Sequence, residues 1–433
     1  MKVYSFPRGG FTFEDPTAPK KDKAINAFLP AISVIPLGSP GQRIHTLVSQ
    51  GDTVKEGMLI GRASGAGAVN IHATVPGKIL RKITWQDGDD QKNSAFVIKM
   101  DGAFEKLGRK EEFFPMTGLN GYDLQKIISE YGIIEMENSG RPLAEMISAS
   151  RKGNNNLTLV IRCVFDDPWL VADYALCMDR MKEVIQGACI VAKACKNVSQ
   201  VIFAVSYKEK DLSDKFIENA GLLDLPYSLV KTGSRYPQRN DRELELALRL
   251  YEKSEGTDFG CFLILGPSVL AAVHDAVLYK KPVLDRYVAI GGSAVRNPQI
   301  MKVRIGTRIG ELIEQCGGFC DRPHRIIAGS VLSGREVMYL DEPVDKQCYA
   351  IVAMTKSHSG TQTPQNCINC GECRVVCPVG LDPQYIYKQI NVPADDSIKV
   401  SGCHNCGCCK MICPSALPLS ETIMRINRET ENA

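Results

Sequence analysis

Eight cysteines near the end of the chain follow one spacing twice. The run from Cys367 to Pro378 reads CINCGECRVVCP, and the run from Cys403 to Pro414 reads CHNCGCCKMICP. Both runs have the form C-x2-C-x2-C-x3-C-P, in which cysteine thiolates hold iron–sulfur clusters. The chemistry that this pattern predicts is one-electron transfer at two [4Fe-4S] clusters.

The fourth cysteine of each run is expected to serve the cluster of the other run. It lies one helical turn past the third cysteine and points the other way, as in two-cluster bacterial ferredoxins. Cys408, inside the second run, is interpreted as a bystander. The predicted ligands are Cys367, Cys370, Cys373 and Cys413 for cluster 1, and Cys403, Cys406, Cys409 and Cys377 for cluster 2.

A zinc site or a disulfide framework is the alternative for these cysteines. Zinc takes four ligands, usually as two C-x2-C pairs, and this does not explain two identical four-cysteine runs that each end in proline. The remaining cysteines of the 17 show no paired spacing. Because iron–sulfur ligands indicate a reducing compartment, we expect these others to be free thiols.

Length, charge and hydropathy limit the classes of function. A chain of 433 residues is too long for one core, so several domains are expected. The formal net charge of +3 gives no support to nucleic-acid binding. The sequence shows neither a signal peptide nor an uninterrupted run of eighteen apolar residues. We therefore expect no transmembrane span, and a cytoplasmic protein that reaches a membrane only through a partner.

The first part of the chain is predicted to be an arm followed by a β domain. Residues 1–30 are rich in Pro, Gly and Lys and are expected to form an irregular arm. Residues 31–110 contain short strands and turns that resemble the barrel-sandwich domain of lipoyl and biotinyl carriers. The segment 63–70 stands at the hairpin tip where carriers have a modified lysine, and it contains none. A carrier function therefore does not follow.

The rest of the chain predicts three further units, which makes the fold class α/β multidomain. Residues 111–285 alternate strands and helices, which indicates a Rossmann-like domain with a parallel sheet and helices on both faces. Residues 286–349 return to short strands around one helix at 308–316, as in a β-grasp (SLBB-like) module. Residues 350–433 are expected to be a polar linker followed by a ferredoxin-type domain with both clusters.

These parts, in this order, resemble the C subunit of the Rnf complex, the ion-translocating ferredoxin:NAD oxidoreductase of bacterial membranes. The resemblance implies a middle domain that binds FMN and NADH and passes electrons to two clusters. It also implies other subunits of a membrane electron-transport complex and redox proteins such as ferredoxin as partners, and a peripheral position on the cytoplasmic face. Besides the cysteine runs, the matching stretches are 6–10, 51–57, 72–77, 236–238 and 274–282.

Three motifs depart from the family pattern in the middle domain. The family's flavin loop, GIVGxGGATFP, reads GIIEMENSGRP at 132–142 here, where Gly132 is kept, three glycines are replaced by Glu135, Glu137 and Asn138, and Gly140 stands at the threonine position. Carboxylates at this place repel a phosphate. The family's NxxECEP reads RCVFDDP at 162–168, and the Gly-Gly-Glu that follows YPQ in the family reads Arg-Asn-Asp at 239–241.

We therefore expect the fold to be kept while FMN and NADH binding is weakened or lost, and no catalytic residue is assigned. The leading hypothesis is an electron-transfer subunit of a membrane-associated Rnf-type complex. A soluble NADH- and flavin-dependent reductase of the cobalamin-reductase type is a second hypothesis, although such enzymes need the glycine loop. A docking subunit with structural clusters is a third.

Overall fold

The computed structural model describes residues 2–38, 42–86, 92–108, 112–137, 139–152, 156–359, 363–389, 400 and 402–431. Asn138 of the altered flavin loop lies outside these residues. Nowhere in the described ranges does a helix combine the length and the apolarity that crossing a bilayer requires.

The N-terminal arm runs across two of the later domains. Isolated bridges join Tyr4 to Thr232 and Phe11 to Tyr236. Further on, the short strand β1 (Ile25–Asn26) pairs in parallel with the backbone at Met301. The arm was expected to be irregular, and most of it is, but these pairings fix its path over the α/β and β-grasp units.

The following unit consists of antiparallel strands that enclose an apolar core. One sheet has the order β2-β8-β7-β4 and the other the order β3-β5-β6. Ile60, Val75 and Ile98 are fully buried between them. The strands are β2 (Ile32–Pro36), β3 (Ile44–Thr46), β4 (Thr53–Val54), β5 (Leu59–Ala63), β6 (Ile71–His72), β7 (Gly77–Gln86) and β8 (Lys92–Met100).

The middle unit has a parallel sheet with helices, as the alternating pattern predicts. Its elements are α1 (Gly121–Glu130), α2 (Leu143–Lys152), β9 (Leu157–Cys163), α3 (Val171–Cys195), β10 (Val198–Ser206), α4 (Lys210–Asn219), β11 (Tyr227–Thr232), α5 (Asp241–Glu255), β12 (Cys261–Leu265) and α6 (Pro267–Tyr279), with short 3-10 helices at Pro168–Leu170 and Ala220–Leu222. The strand order is β11-β10-β9-β12, with every neighbouring pair parallel. Strand β9 is buried at every position, as the central strand of a covered sheet should be.

The next unit is a mixed sheet around one helix. Its elements are β13 (Asp285–Gly291), β14 (Gln299–Arg304), α7 (Ile309–Gln315), β15 (Arg325–Ala328), β16 (Arg335–Glu336) and β17 (Ala350–Met354). The order is β1-β14-β13-β17-β15-β16. Strand β17 pairs with β13 and β15, so this sheet continues past residue 349, where the sequence pattern had indicated the start of a linker.

The last unit consists of loops and short helices that repeat one local geometry. Gly371 (φ +76°) precedes α8 and Gly407 (φ +75°) precedes α10, both in the left-handed region that glycine adopts at little cost. Asn369 (φ +59°) and Asn405 (φ +54°) also correspond. The two cysteine runs therefore fold alike. The helices are α8 (Glu372–Val376), α9 (Pro383–Gln389), α10 (Cys408–Met411) and α11 (Leu419–Glu431).

Candidate functional site

The four thiols predicted for cluster 1 line one small cavity. Cys367, Cys370 and Cys373 come from the first run, and Cys413 comes from the second. Cys373 is buried, whereas Cys370 is exposed, so this cavity lies at the protein surface. Cys413 is the fourth cysteine of the second run, so residues of both runs meet at this cavity.

The four thiols predicted for cluster 2 line a second cavity. Cys403, Cys406 and Cys409 surround it together with Cys377 of the first run. Cys408 also lines this cavity and is fully buried, and it packs in an apolar cluster with Tyr236. The four predicted ligands of each cluster thus line one cavity, and Cys408 is a fifth cysteine at the second.

The ligand assignment itself stays a prediction. Within the described residues, no group of three or more His, Cys, Asp or Glu side chains is arranged to hold a metal ion as the side chains stand. The assignment is supported by the chemistry of the cysteine thiolates and by their distribution between two cavities. At each cavity, the first three cysteines of one run lie with the fourth cysteine of the other run.

The N-terminal arm covers the cysteine that crosses from the first run to cluster 2. The Gly10 N–H donates a 2.8 Å hydrogen bond to the Val376 carbonyl. Gly9 has φ +69°, and a Cβ on it would lie 2.6 Å from the carbonyl carbon of Cys377. No real Cβ approaches a backbone atom so closely, so this contact requires glycine. The arm therefore packs directly against the backbone of Cys377, one of the predicted cluster 2 ligands.

Two further units hold the loop of the second run. The Tyr236 hydroxyl, from the α/β unit, donates a 2.7 Å hydrogen bond to the Cys406 carbonyl. A Cβ on Gly407 would lie 2.5 Å from the Leu332 carbonyl oxygen of the β-grasp unit. The cluster 2 loop is thus fixed between the arm, the α/β unit and the β-grasp unit, and its geometry depends on all three.

The altered flavin loop contains a buried group of ion pairs. The Arg162 guanidinium lies 3.3 Å from Glu135 and 2.8 Å from Glu137 (Nη2 to the nearest carboxylate oxygen of each). Its Nη1 pairs with Asp241. A second guanidinium, Arg239 Nη2, lies 2.7 Å from Glu137 Oε2. The negative charges of Glu135 and Glu137 are therefore balanced by the positive charges of Arg162 and Arg239.

These pairs keep Glu137 ionised despite its burial. Its side chain is only 3% exposed, and that of Arg162 is 1% exposed. Burial would raise the pKa of the Glu137 carboxyl, but the charges of Arg162 and Arg239 outweigh burial and hold this pKa below its usual range. The pKa of the Arg239 guanidinium is raised. Burial of Arg239 would lower this pKa, but the charge of Glu137 has the larger effect.

The Glu137 carboxylate lies against the backbone at the start of α6. A Cβ on Gly266, which precedes the first residue of that helix, would lie 1.1 Å from Glu137 Oε1. A helix N-terminus favours an anion, and here the anion is a side chain. With three of its glycines replaced and the Arg162 and Arg239 guanidinium groups paired with its carboxylates, the loop does not fit the phosphate of FMN.

A cavity of about 640 Å³ remains between this loop and the cluster 2 run. Glu137 and Asp241 line one side, and His404 and Cys406 line the other. Tyr349 of the β-grasp unit also lines it. The cavity therefore lies between the carboxylates of the altered loop and residues of the second cysteine run.

Comparison with known proteins adds the family context. Residues 5–103 match the family model of the RnfC barrel sandwich hybrid domain, and residues 287–341 match that of the SLBB domain. The C subunit of the Na+-translocating ferredoxin:NAD+ oxidoreductase complex of Acetobacterium woodii is 26% identical over 369 residues, which cover 84% of this chain and 82% of that protein. The chain resembles Rnf C subunits.

Another Rnf-type relative gives the same result. The C subunit of the ion-translocating oxidoreductase complex of Rhodobacter capsulatus is 27% identical over 361 residues, which cover 82% of this chain and 69% of that protein. Among solved structures, an NAD+-reducing [NiFe]-hydrogenase in the H2-reduced state matches with a TM-score of 0.47 and 12% identity. That match covers 60% of this chain and 54% of the hydrogenase chain, so this chain spans about half of it.

The structure brings together residues that look like separate departures from the Rnf C pattern in the sequence. Glu135 and Glu137 stand where the family has glycines, Arg162 where it has asparagine, and Arg239 where it has glycine. The new acids were recognised from the sequence, whereas the role of the two arginines was missed. The available signal was charge balance, because the introduced acids are matched by introduced bases in motifs far along the chain.

Proposed function

We propose that this chain is the iron–sulfur electron-transfer subunit of a membrane-associated Rnf-type complex, which couples ferredoxin and NAD redox chemistry to ion translocation. The observation that carries the proposal is that the eight predicted ligand cysteines line two separate cavities, four at each, in a chain that resembles Rnf C subunits over most of its length. A [4Fe-4S] cluster bound at each set would take up and release one electron.

The protein gives the two sites different surroundings. Cys370 of the first set is exposed, whereas the second set lies under the arm and beside the 640 Å³ cavity. Solvent exposure and hydrogen bonds near the sulfurs are among the factors that set the potential of a cluster. The exposed first set therefore faces protein partners such as ferredoxin, and the second set is the internal one.

The proposal includes a relay that works without flavin at the altered loop. Buried arginines that could bind a phosphate are paired with Glu135 and Glu137 instead. Removing one member of such a group leaves an uncompensated buried charge, which is costly. The protein is thus stabilised in a form in which the loop needs no ligand, and direct oxidation of NADH is not part of the proposed activity.

The two other hypotheses find less support. An enzyme of the cobalamin-reductase type needs a flavin loop that can bind the phosphate of FMN. The altered loop of this chain does not fit that phosphate. A docking subunit with structural clusters would not need one set of thiols at the surface. In the proposed complex, the chain lies on the cytoplasmic face of the membrane through its partner subunits.

A reductive titration of the anaerobically purified full chain tests this proposal. We expect both clusters to be reduced by dithionite and by reduced ferredoxin, each giving an EPR signal that integrates to about one spin. NADH alone should reduce neither. Clusters that stay oxidised throughout the titration would support the docking function, and rapid reduction by NADH would restore an NADH dehydrogenase.

A further inference from the structure

A second cavity, of about 250 Å³, lies between the β domain, the altered loop and the β-grasp unit. Apolar and polar side chains line it in similar numbers, and several of the apolar ones are buried. The volume fits a ligand smaller than a drug-sized molecule. The buried apolar residues of the wall are Ile35, Val69, Ile71, Ile134 and Ile305.

Most polar side chains around this cavity already have partners in the protein. The Thr74 hydroxyl donates to the Ile305 carbonyl at 2.6 Å. Asp345 Oδ1 accepts from the backbone N–H groups of Gln347 and Cys348, and Arg335 pairs with Glu342. These groups are therefore not available to a ligand without a loss of internal bonds.

Two hydrogen-bond donors at the cavity, Trp85 and Lys346, have capacity for a further hydrogen bond. The Trp85 indole Nε1 is buried and makes no hydrogen bond in the part of the chain that the structure describes. The Lys346 ammonium donates one bond, of 2.7 Å, to the Gly132 carbonyl, and no carboxylate of the described residues forms an ion pair with it. An ammonium has three N–H donors, so Lys346 keeps capacity for an anion.

The surroundings of Lys346 favour an anionic group over a neutral one. Burial lowers the pKa of Lys346 to about 8, so most of the ammonium is still protonated at pH 7. His72, which also lines the cavity, stacks on Tyr131 at 6.0 Å, and burial with the Lys346 charge lowers its pKa to about 3. The imidazole is therefore neutral, and the positive charge that a ligand would meet beside it is that of Lys346.

We propose that this cavity binds a small carboxylic acid with an apolar body, whose carboxylate pairs with Lys346 and accepts a further hydrogen bond from Trp85. The apolar walls would cover the body of the ligand. The ligand would lie beside both ends of the altered loop, because Lys346 contacts Gly132 and a Cβ on Gly140 would lie 2.9 Å from Gln347 Oε1. The site is separate from the thiols, so it does not depend on the proposed electron-transfer function.

Calorimetric titration of the full chain with benzoate and hexanoate tests the site, with benzyl alcohol as the uncharged probe. We expect saturable binding of at least one carboxylate at one site per chain, and much weaker binding of the alcohol. Lys346→Met keeps the length of the side chain and removes its charge, and should weaken carboxylate binding by about tenfold or more, since hydrogen bonds to charged groups are the strong ones. Trp85→Phe should weaken it by a smaller factor.

Lys126→Met is the matched control, because Lys126 is exposed on α1 and does not line the cavity. Its binding constant should equal that of the unmodified chain. Thermal unfolding without ligand shows whether each variant is folded. The proposal is wrong if the unmodified chain binds neither carboxylate at millimolar concentrations, or if a folded Lys346→Met variant binds them as tightly as the Lys126→Met variant.

Discussion

Arg162 Nη2 lies 2.8 Å from Glu137 Oε2, and both side chains are buried. Glu137 belongs to the altered flavin loop, whereas Arg162 lies in strand β9, 25 residues further along the chain, and is the first residue of a second altered motif. Arg239 of the third altered motif pairs with the same carboxylate. The three departures from the expected family pattern therefore meet in one buried group, in which the Glu137 carboxylate pairs with two guanidinium groups.

Replacing Arg162 with methionine should be strongly destabilising. The substitution leaves Glu135, Glu137 and Asp241 without a shared cation, and breaking a buried pair typically costs about 3–5 kcal/mol. Chemical denaturation under anaerobic conditions measures the change in the free energy of unfolding. Arg249→Met is the control, because Arg249 pairs with Glu245 and Glu252 at the surface, where the loss should stay below about 1 kcal/mol. Equal losses in the two variants would contradict a buried role for Arg162.

Paired cysteine variants can separate crossed from uncrossed ligands. If Cys413 serves cluster 1, the double variant Cys370→Ser/Cys413→Ser loses one cluster and keeps about four iron atoms. The double variant Cys406→Ser/Cys413→Ser then loses both clusters. Uncrossed ligands would give the reverse pattern of iron contents. Cys408→Ser should keep about eight iron atoms if Cys408 is a bystander.

The contact between the arm and the cluster 2 run predicts an effect of Gly9→Ala. The added Cβ would meet the backbone of Cys377, and the residue would also be held at φ +69°. Gly51→Ala is the matched control, because Gly51 also has a positive φ, of +94°, but has no other atom within 4 Å of where a Cβ would lie. We expect Gly9→Ala to cost about 1–3 kcal/mol more than the control.

The same pair of variants should differ in how fast cluster 2 is lost in air. With the arm displaced, oxygen reaches this site more easily, so the visible absorbance of Gly9→Ala should bleach faster than that of Gly51→Ala. Equal bleaching rates would show that the arm does not protect the site.

Asp166 predicts a pH dependence of stability. Burial raises the pKa of its carboxyl to about 7, although its Oδ2 accepts the Arg239 backbone N–H at 3.0 Å. Between the ordinary value of 3.8 and this value, the folded chain binds more protons at Asp166 than the unfolded chain does. The stability that this group contributes is therefore present at low pH and is lost as the pH rises through about 7.

Asp166→Asn removes that dependence and keeps the shape of the side chain. Relative to the Asn variant, the unmodified chain should lose stability between pH 5 and pH 8, as measured by denaturation at several pH values. Asp214→Asn, at an exposed position on α4, should give a difference that does not change with pH. A constant difference for Asp166→Asn as well would show that the carboxyl is not protonated in the folded chain.

The elements that the sequence predicts well are those with a clear apolar period. The pattern predicts a buried strand at 157–161 and a helix at 172–196, and the structure has β9 (Leu157–Cys163) and α3 (Val171–Cys195) there. It predicts no strand at 227–232, where β11 is an edge strand with an exposed Tyr227 and half-buried polar positions that hide the alternation. Strand β17 was assigned to a linker because its apolar run borders a polar segment, although all of its residues are buried.

Only the parts of the site that depend on residues close together in the sequence could be predicted. Both cysteine sets follow from spacing, because each run is short and its geometry is local. The ion pairs of Arg162, Glu137 and Arg239 join residues up to 102 positions apart, so no local pattern predicts them. The contact between Gly9 and the backbone of Cys377 cannot be predicted for the same reason, because a glycine in a loop does not indicate which distant residue it contacts.

The proposed relay requires two clusters in the chain and no flavin at the altered loop. The most direct measurement is to purify the full chain anaerobically and to count iron, sulfide and FMN per chain in one sample. We predict about eight iron and about eight sulfide with no FMN. One tightly bound FMN per chain would contradict the proposed relay and show that a loop with Glu135 and Glu137 still holds the cofactor.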